Sequence, residues 1–179
     1  MQAPVRIDTT IVLSVLAAFD AEEYVALVKQ NEERLMRWVP YYGRVNSLSR
    51  FRSYLESVRV LTEQRLWVDF VIRIEGTIAG SVQIHNIDPL NRIGNVGYWL
   101  GERFTGQGKM SQVLPVVSEI AFRDYNIHRL QLLAAVENLA SRVTAERTGF
   151  AYETTLREHF IKPGGYSDAA VYVKFEGPG

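Results

Sequence analysis

Three strand-like runs separated by very short turns constrain this chain more than any other feature. Between Leu66 and Ile74, Val68, Phe70, Ile72 and Ile74 alternate with Trp67, Asp69, Val71 and Arg73, the period of a strand with one well-buried face. Glu75-Gly76-Thr77 turns the chain into a second run, Ile78 to Ile87, and Asp88-Pro89-Leu90-Asn91 turns it into a third, Ile93 to Leu100. The spacing predicts an antiparallel meander. It runs directly into Arg103-Phe104-Thr105-Gly106-Gln107-Gly108 and then into a helix-like stretch from Lys109 to Phe122.

The flanking elements follow from period and punctuation. Ile11 to Ala17 is apolar enough for a buried first strand, and Asp20-Ala21-Glu22-Glu23 has the spacing of a capping box. Tyr24, Leu27, Val28 and Leu35 give the helix that starts there an apolar face, and Arg37-Trp38-Val39-Pro40 ends it, because the residue before proline is pushed out of the helical region. Phe51, Leu55, Val58 and Leu61 mark a second helix from about Ser47 to Gln64. After the glycine-rich loop, Met110, Val113, Leu114, Val117, Ile120 and Ala121 line one face of a helix that stops near Asn126, and Pro115 inside it predicts a kink or an irregular first turn. Arg129 to Val136 reads as a strand, Leu139 to Arg147 as a short helix closed by Gly149, and Phe150 to Ile161 with Tyr166 to Phe175 as a final hairpin.

Strand, two helices, three strands, loop and helix, strand, helix and two strands is the order of an α/β (α+β) sandwich around a mixed sheet. With 179 residues, 47% of them hydrophobic, and no repeat or linker, a single domain over residues 1–179 is expected. Twenty basic and twenty acidic residues cancel, so no global field draws the chain onto nucleic acid or an anionic membrane, and neither is expected as a partner. The absence of cysteine excludes disulfides, thiolate catalysis and cysteine-based zinc motifs, and no metal site is expected. Neither a signal peptide nor an apolar run near the ~20 residues of a membrane span is evident, so the expected location is the cytoplasm.

Two glycines at a strand-to-helix junction let the backbone turn its amides toward one point at a helix N-terminus, which predicts an anion site. Gly101 and Gly106 have the gap of a nucleotide-triphosphatase loop, but Gln107 stands where lysine must follow. Gly106 and Gly108 begin a dinucleotide fingerprint, but Ser111 occupies the place of its third glycine, and the preceding strands are antiparallel. Arg103-Phe104-Thr105-Gly106-Gln107-Gly108 does fit the [Q/R]-x-x-G-x-[G/A] loop of the GNAT N-acetyltransferase superfamily, where it holds the pyrophosphate of acetyl-CoA. Gly80-Ser81-Val82, Ile87 to Asn91, Gly97 to Leu100, Asn138 to Ser141, Arg147 to Phe150 and Leu156-Arg157 resemble the branch of that superfamily containing bacterial ribosomal-protein N-terminal acetyltransferases. The likeness spans about Ile11 to Phe175.

The resemblance implies a fold of about seven strands, mostly antiparallel and splayed, flanked by about four helices. It also implies a site. Arg103, Gly106, Gln107, Gly108, Lys109 and Met110 would cradle the pyrophosphate, and the backbone of Tyr98, Trp99 and Leu100 would pair with the pantetheine arm as an added strand. Asn138 matches a family asparagine that contacts the same arm, although its place also suits an N-cap. Ser141 matches a serine placed to protonate the departing thiolate, a useful step for a thiol of pKa about 8.5.

An acceptor amine needs a proton acceptor as well. At pH 7 roughly 10% of an α-amine is neutral, against about 0.04% of a lysine ammonium, so an α-amine needs only a modest base. Asp69, acting through a water, and His85 are the candidates, each with the alternative of an ordinary sheet-face residue. Glu75 sits at a turn, and Glu158-His159-Phe160 carries its acid at Glu158 where relatives often have one nearby. Trp38, Tyr41 and Tyr42, in the segment from Arg37 to Asn46, are either a wall of the acceptor cleft or core or dimer packing. By resemblance the function is direct, acetyl-CoA-dependent transfer to a primary amine, with a protein N-terminus such as that of a ribosomal protein as acceptor and a homodimer as assembly. A small amine as acceptor, or a non-catalytic acetyl-CoA-binding module, stays open.

Overall fold

A computed structural model describes residues 3–162 and 164–177; Met1 and Gln2, the first residues of the N-terminal segment read above, lie outside it, as do Pro163, Pro178 and Gly179. Its elements in chain order are β1 (Val5–Arg6), β2 (Ile11–Val15), a 3-10 turn (Ala18–Asp20), α1 (Ala21–Gln30), α2 (Glu32–Trp38), α3 (Pro40–Gly43), α4 (Leu48–Glu63), β3 (Val68–Ile74), β4 (Thr77–Asp88) and β5 (Ile93–Leu100). A second 3-10 turn (Glu102–Phe104), α5 (Lys109–Tyr125), β6 (Arg129–Ala135), α6 (Leu139–Arg147), β7 (Ala151–Lys162) and β8 (Gly165–Phe175) follow. The strand order is β1-β2-β3-β4-β5-β6-β8-β7. The expected α/β class and mostly antiparallel mixed sheet are therefore observed. The counts differ: the described residues form eight strands and six helices rather than about seven and about four.

The extra strand, β1, is two residues long and too short to show a period, and it pairs Val5 with Leu13 and Arg6 with Val12. The extra helices come from the segment read as one helix before Pro40. Asn31, with φ −121° and ψ 15°, separates α1 from α2, and Pro40 opens α3 at its first position instead of only ending what precedes it. The capping box at Asp20 is also corrected. Asp20 makes no side-chain cap bond to α1. Its two oxygens accept the Ala17 amide (2.9 Å) and pair with Arg73 (2.6 Å), while Glu23 pairs with Arg73 (2.9 Å) and accepts the Ile78 amide (2.6 Å). A long-range demand for both carboxylates outcompetes the local motif.

The chain groups into two compact units, one of Met1–Gln83 with Tyr98–Lys109 and one of Ile84–Gly97 with Met110–Gly179. In the first, β2 pairs antiparallel with β3 from Ile11↔Ile74 to Val15↔Phe70. Tyr24, Leu27, Val28, Phe51, Tyr54 and Val58 from α1 and α4 bury against Val71, Ile78 and Trp99. In the second, β5 runs parallel to β6 over Ile93↔Arg129, Gly94↔Leu130 and Asn95↔Gln131, and that register stops well before β6 ends. On its other side β6 pairs with β8 along its whole length, from Arg129↔Phe175 to Ala135↔Ala169. The expected apolar face of α5 is buried, and the helix continues through Pro115. The final hairpin places β7 at the sheet margin with register shifts at Tyr152/Thr154 and Leu156/Phe160. No helix among the described residues is long and apolar enough to cross a membrane.

Gly80 is where the first unit has no room to spare. A Cβ there would lie 2.1 Å from the Trp99 carbonyl oxygen, a backbone atom that cannot swing aside. We expect Gly80→Ala to cost about 2–3 kcal/mol through overpacking, read as a melting temperature lower by roughly 5–10 °C in calorimetry.

Candidate active site

The glycine loop begins at a fixed point. Gly101 donates its amide to Ala79 O (2.8 Å), and its missing side chain leaves room for Leu27, whose Cδ1 would lie 2.9 Å from a Cβ. The next amide, Glu102, donates to Asn31 Oδ1 (2.7 Å), while Asn31 Nδ2 donates to Leu27 O (2.8 Å). The side chain of the residue that breaks the helix thus anchors the loop. Phe104 and Thr105 amides close the 3-10 turn on Gly101 and Glu102, and Gln107 Nε2 donates to Arg103 O (2.7 Å). Gly106 and Gly108 take φ of +74° and +70°, a region an L side chain resists, and no atom lies within 4 Å of a Cβ at either. Beside these exposed glycines there is space for an anionic group, and the chain passes at once into α5, whose first amides have no intrahelical partner. Arg103 lies with its guanidinium 4.5 Å from the Phe104 ring, next to the same loop. A turn of this kind at a helix start can take an anionic group.

Upstream, Trp99 is buried, with its ring edge-on to Tyr24 at 5.7 Å and tilted toward Tyr42 at 6.1 Å. Leu100 O accepts a bond from Arg34 (3.0 Å). Asp69, in the same unit, is a buried acid only 5% exposed. Its Oδ2 accepts from the Tyr54 hydroxyl and from Trp67 Nε1 (2.8 Å). Its Oδ1 is buried and has no hydrogen-bond partner among the described residues, and the same holds for Tyr42 Oη. Burial raises the Asp69 pKa to about 6, against the opposing pull of Trp67, Tyr54 and Tyr42; Tyr42 acts by proximity, without a bond of standard geometry. Burial first, and the Asp69 charge second, push the hydroxyls of Tyr24, Tyr42 and Tyr54 upward, so they remain donors. Tyr24 meets Ser81 Oγ at 3.2 Å and accepts from Trp99 Nε1 at 3.4 Å. A carboxylate that titrates near 6 and keeps one oxygen unengaged is suited to accepting a proton near neutral pH.

In the second unit, Asn138 caps α6 by accepting the Ser141 amide on Oδ1 (3.2 Å), so its local reading as an N-cap is observed. Arg142, one residue beyond Ser141, donates to Val136 O (3.0 Å) and to the fully buried Tyr172 hydroxyl (3.1 Å). Gly149, at φ +85°, ends the helix, with its amide on Glu146 O and the Phe150 amide on Ala145 O. These bonds fix Ser141, half-buried, in the first turn. His85 is also half-buried in this unit, and burial lowers its pKa. Glu158 is exposed at φ +50° in the bulged part of β7, with its amide on Asp168 Oδ1. Glu75, at φ +51°, is exposed at its turn.

The structure brings Asp69 together with Tyr54, Trp67 and Tyr42, and Trp99 with Tyr24 and Tyr42; it holds Ser141 on Asn138. Of the two adjacent tyrosines, Tyr42 belongs to the core and Tyr41 is 53% exposed with its ring against Tyr54. Asn31, Tyr54 and Arg142 were not singled out in the sequence. Asn31 left one signal, a poor helix former inside an otherwise continuous apolar period. Tyr54 and Arg142 left none, because their partners are distant in sequence.

Residues 11–151 match the family described as Acetyltransferase (GNAT) domain. The ribosomal-protein-serine acetyltransferase of Escherichia coli (strain K12) is 24% identical over 174 residues, 97% of each chain. Among solved structures, the ribosomal α-N-protein acetyltransferase RimL in complex with coenzyme A superposes with a TM-score of 0.91 at 26% identity, over 97% of this chain and 98% of that one. The microcin self-immunity acetyltransferase MccE, in complex with acetyl-CoA and AMP, gives a TM-score of 0.87 at 28% identity over 96% of each.

The environment of Asp69 has a consequence for stability. Because the folded-state pKa is raised from 3.8 to about 6, the fold favours the neutral acid, and stability falls as pH rises through that window. We expect Asp69→Asn to melt higher than the parent at pH 7.5, with the difference closing at pH 4 and below, as followed by circular dichroism.

Proposed function

The chain belongs to the GNAT acetyltransferase domain family and is an acetyl-CoA-dependent N-acetyltransferase; we propose that its acceptor is the α-amine of a protein N-terminus, with ribosomal proteins as the first candidates. The observation that carries this reading is the likeness, over nearly the whole of both chains, to ribosomal-protein acetyltransferases. The family match runs from one compact unit into the other, which supports reading both as one catalytic domain.

Acetyl-CoA supplies the acetyl thioester. The exposed Gly106 to Gly108 turn and the first amides of α5, with Arg103 beside them, hold its pyrophosphate by donors that helix geometry leaves without internal partners. The backbone from Tyr98 to Leu100 pairs with the amide-bearing pantetheine arm, and the Asn138 side-chain amide, whose oxygen is committed to the Ser141 cap, offers its Nδ2 hydrogens to the same arm. The amine nitrogen attacks the thioester carbonyl carbon directly, in keeping with a chain that has no cysteine to form an acyl-enzyme. Asp69, ionised above about pH 6, accepts the amine's proton through a water. Ser141 donates its hydroxyl proton to the sulfur as the carbon–sulfur bond breaks and regains one from solvent, while Asp69 returns the amine's proton to solvent.

Comparing N-terminal acetylation of ribosomal proteins by mass spectrometry, with and without the gene, tests the acceptor; identical profiles would overturn it. Ser141→Ala should lower kcat about 10²-fold with acetyl-CoA affinity nearly unchanged in calorimetry. Gly106→Val, which forces a β-branched residue to φ +74°, should abolish that affinity. With the parent, kcat/KM should rise with pH through about 6 as Asp69 ionises, and Asp69→Asn should lose both rate and that limb.

A further inference from the structure

The strand end and the loop assigned to the donor meet at Leu100, Gly101 and Glu102, and the start of α2 grips that corner twice. Asn31, only 8% exposed, accepts the Glu102 amide on Oδ1 (2.7 Å) and donates from Nδ2 to Leu27 O (2.8 Å). Each end of its amide meets its complement, and a turned amide would lose both bonds. Arg34, half-buried and three residues further on, donates to Leu100 O (3.0 Å). The Gly101 amide points at β4 through Ala79 O, and successive residues of a strand turn their backbone groups to alternate edges, so the Leu100 carbonyl faces the edge away from β4. Arg34 therefore takes the last carbonyl on the edge assigned to the pantetheine arm, and Asn31 takes the first amide of the turn that leads into the glycine loop.

We propose that Asn31 and Arg34 are positioning residues for the donor: Arg34 sets where the arm stops pairing with backbone, and Asn31 sets where the pyrophosphate loop begins. The inference rests on the assignment of the glycine loop and of Tyr98 to Leu100 to acetyl-CoA. The two gripped groups lie two residues apart on the chain, and the side chains that hold them lie three residues apart where α2 begins, so the corner is fixed against one short segment. Gly101, between the gripped groups, leaves free the space toward Leu27 and Asn31, whose Cδ1 and Nδ2 would lie 2.9 Å and 3.4 Å from a Cβ. Neither end of the Asn31 amide is left to touch a ligand, so its effect on the donor runs through the loop it holds. A loop without such anchors must be ordered by the ligand itself, and the cost of that ordering comes out of the affinity.

The test is calorimetric titration of the protein with CoA, a readout that does not depend on which amine is the acceptor. Asn31→Leu, close in volume and without either bond, should weaken CoA binding roughly tenfold or more; Asn31→Asp, which keeps an oxygen for the Glu102 amide and loses the donor to Leu27, should weaken it by less. Arg34→Met keeps the apolar stem, removes the donor and should weaken CoA binding roughly fivefold, and Arg34→Lys, which keeps a donor, should restore most of that loss. In steady-state thiol release the KM for acetyl-CoA should rise in step, with kcat at saturating donor falling far less. A purely structural role would lower the melting temperature of these variants and leave the CoA affinity of the folded protein at the parent's value; that result would overturn the positioning role. Absence of CoA binding by the parent would overturn the loop assignment and the positioning role together. Should Asn31→Leu fail to fold, Asn31→Asp and Arg34→Met decide the matter in the same way.

Discussion

Much of the first unit depends on one buried amide. The Asn31 side chain takes a carbonyl from the last turn of α1 on one end and gives an acceptor to the first amide of the 3-10 turn on the other. The first contact is buried and the second partly so, and each is worth about 0.5–1.5 kcal/mol net. The same side chain that interrupts helical continuity thereby sets where the glycine turn begins. Helix break and ligand loop are one event, and Gly101 is bare because Leu27 must reach the same spot.

A second constraint works against stability. Burying a carboxylate is unfavourable unless it is bonded, and Asp69 is bonded on one oxygen only. The tyrosines around it are each held neutral by burial and by the acid's own charge, so they serve as donors and not as competing acids. Such incomplete satisfaction is uncommon in a fold otherwise well packed, and functional sites are where it concentrates. Arg73 shows the opposite arrangement on the same strand, with Asp20 and Glu23 both engaged on its guanidinium.

Period-two alternation and turn residues made the meander legible in the sequence, and α5 was legible from its repeating apolar face. The glycine loop was readable because left-handed backbone narrows the residue choice to glycine. Failures arose where distant partners overrode local rules. Asp20 and Glu23 had the spacing of a cap but served Arg73, fifty residues on, and Asn31 left a helix to meet Glu102. Asp69 alternates with apolar neighbours, and alternation alone places it on a sheet face without saying whether helices cover that face. Its enclosure by Tyr54 from α4 and Tyr42 from α3 is a tertiary fact. The N-cap at Asn138 was legible because a cap is a local motif, whereas Ser141 was singled out only by resemblance.

The marginal strand β7 bears on how the molecule behaves in crowded solution. Its residues are exposed along almost all of its length, and an open strand of that kind is a template for another chain's backbone. Two register shifts interrupt its ladder with β8, Glu158 takes a left-handed φ within the second, and Glu153, Arg157 and Lys162 distribute charge along it. An incoming strand would meet a bent edge with no long run of evenly spaced donors and acceptors. The irregularity of β7 therefore shortens the regular edge that strand addition could use.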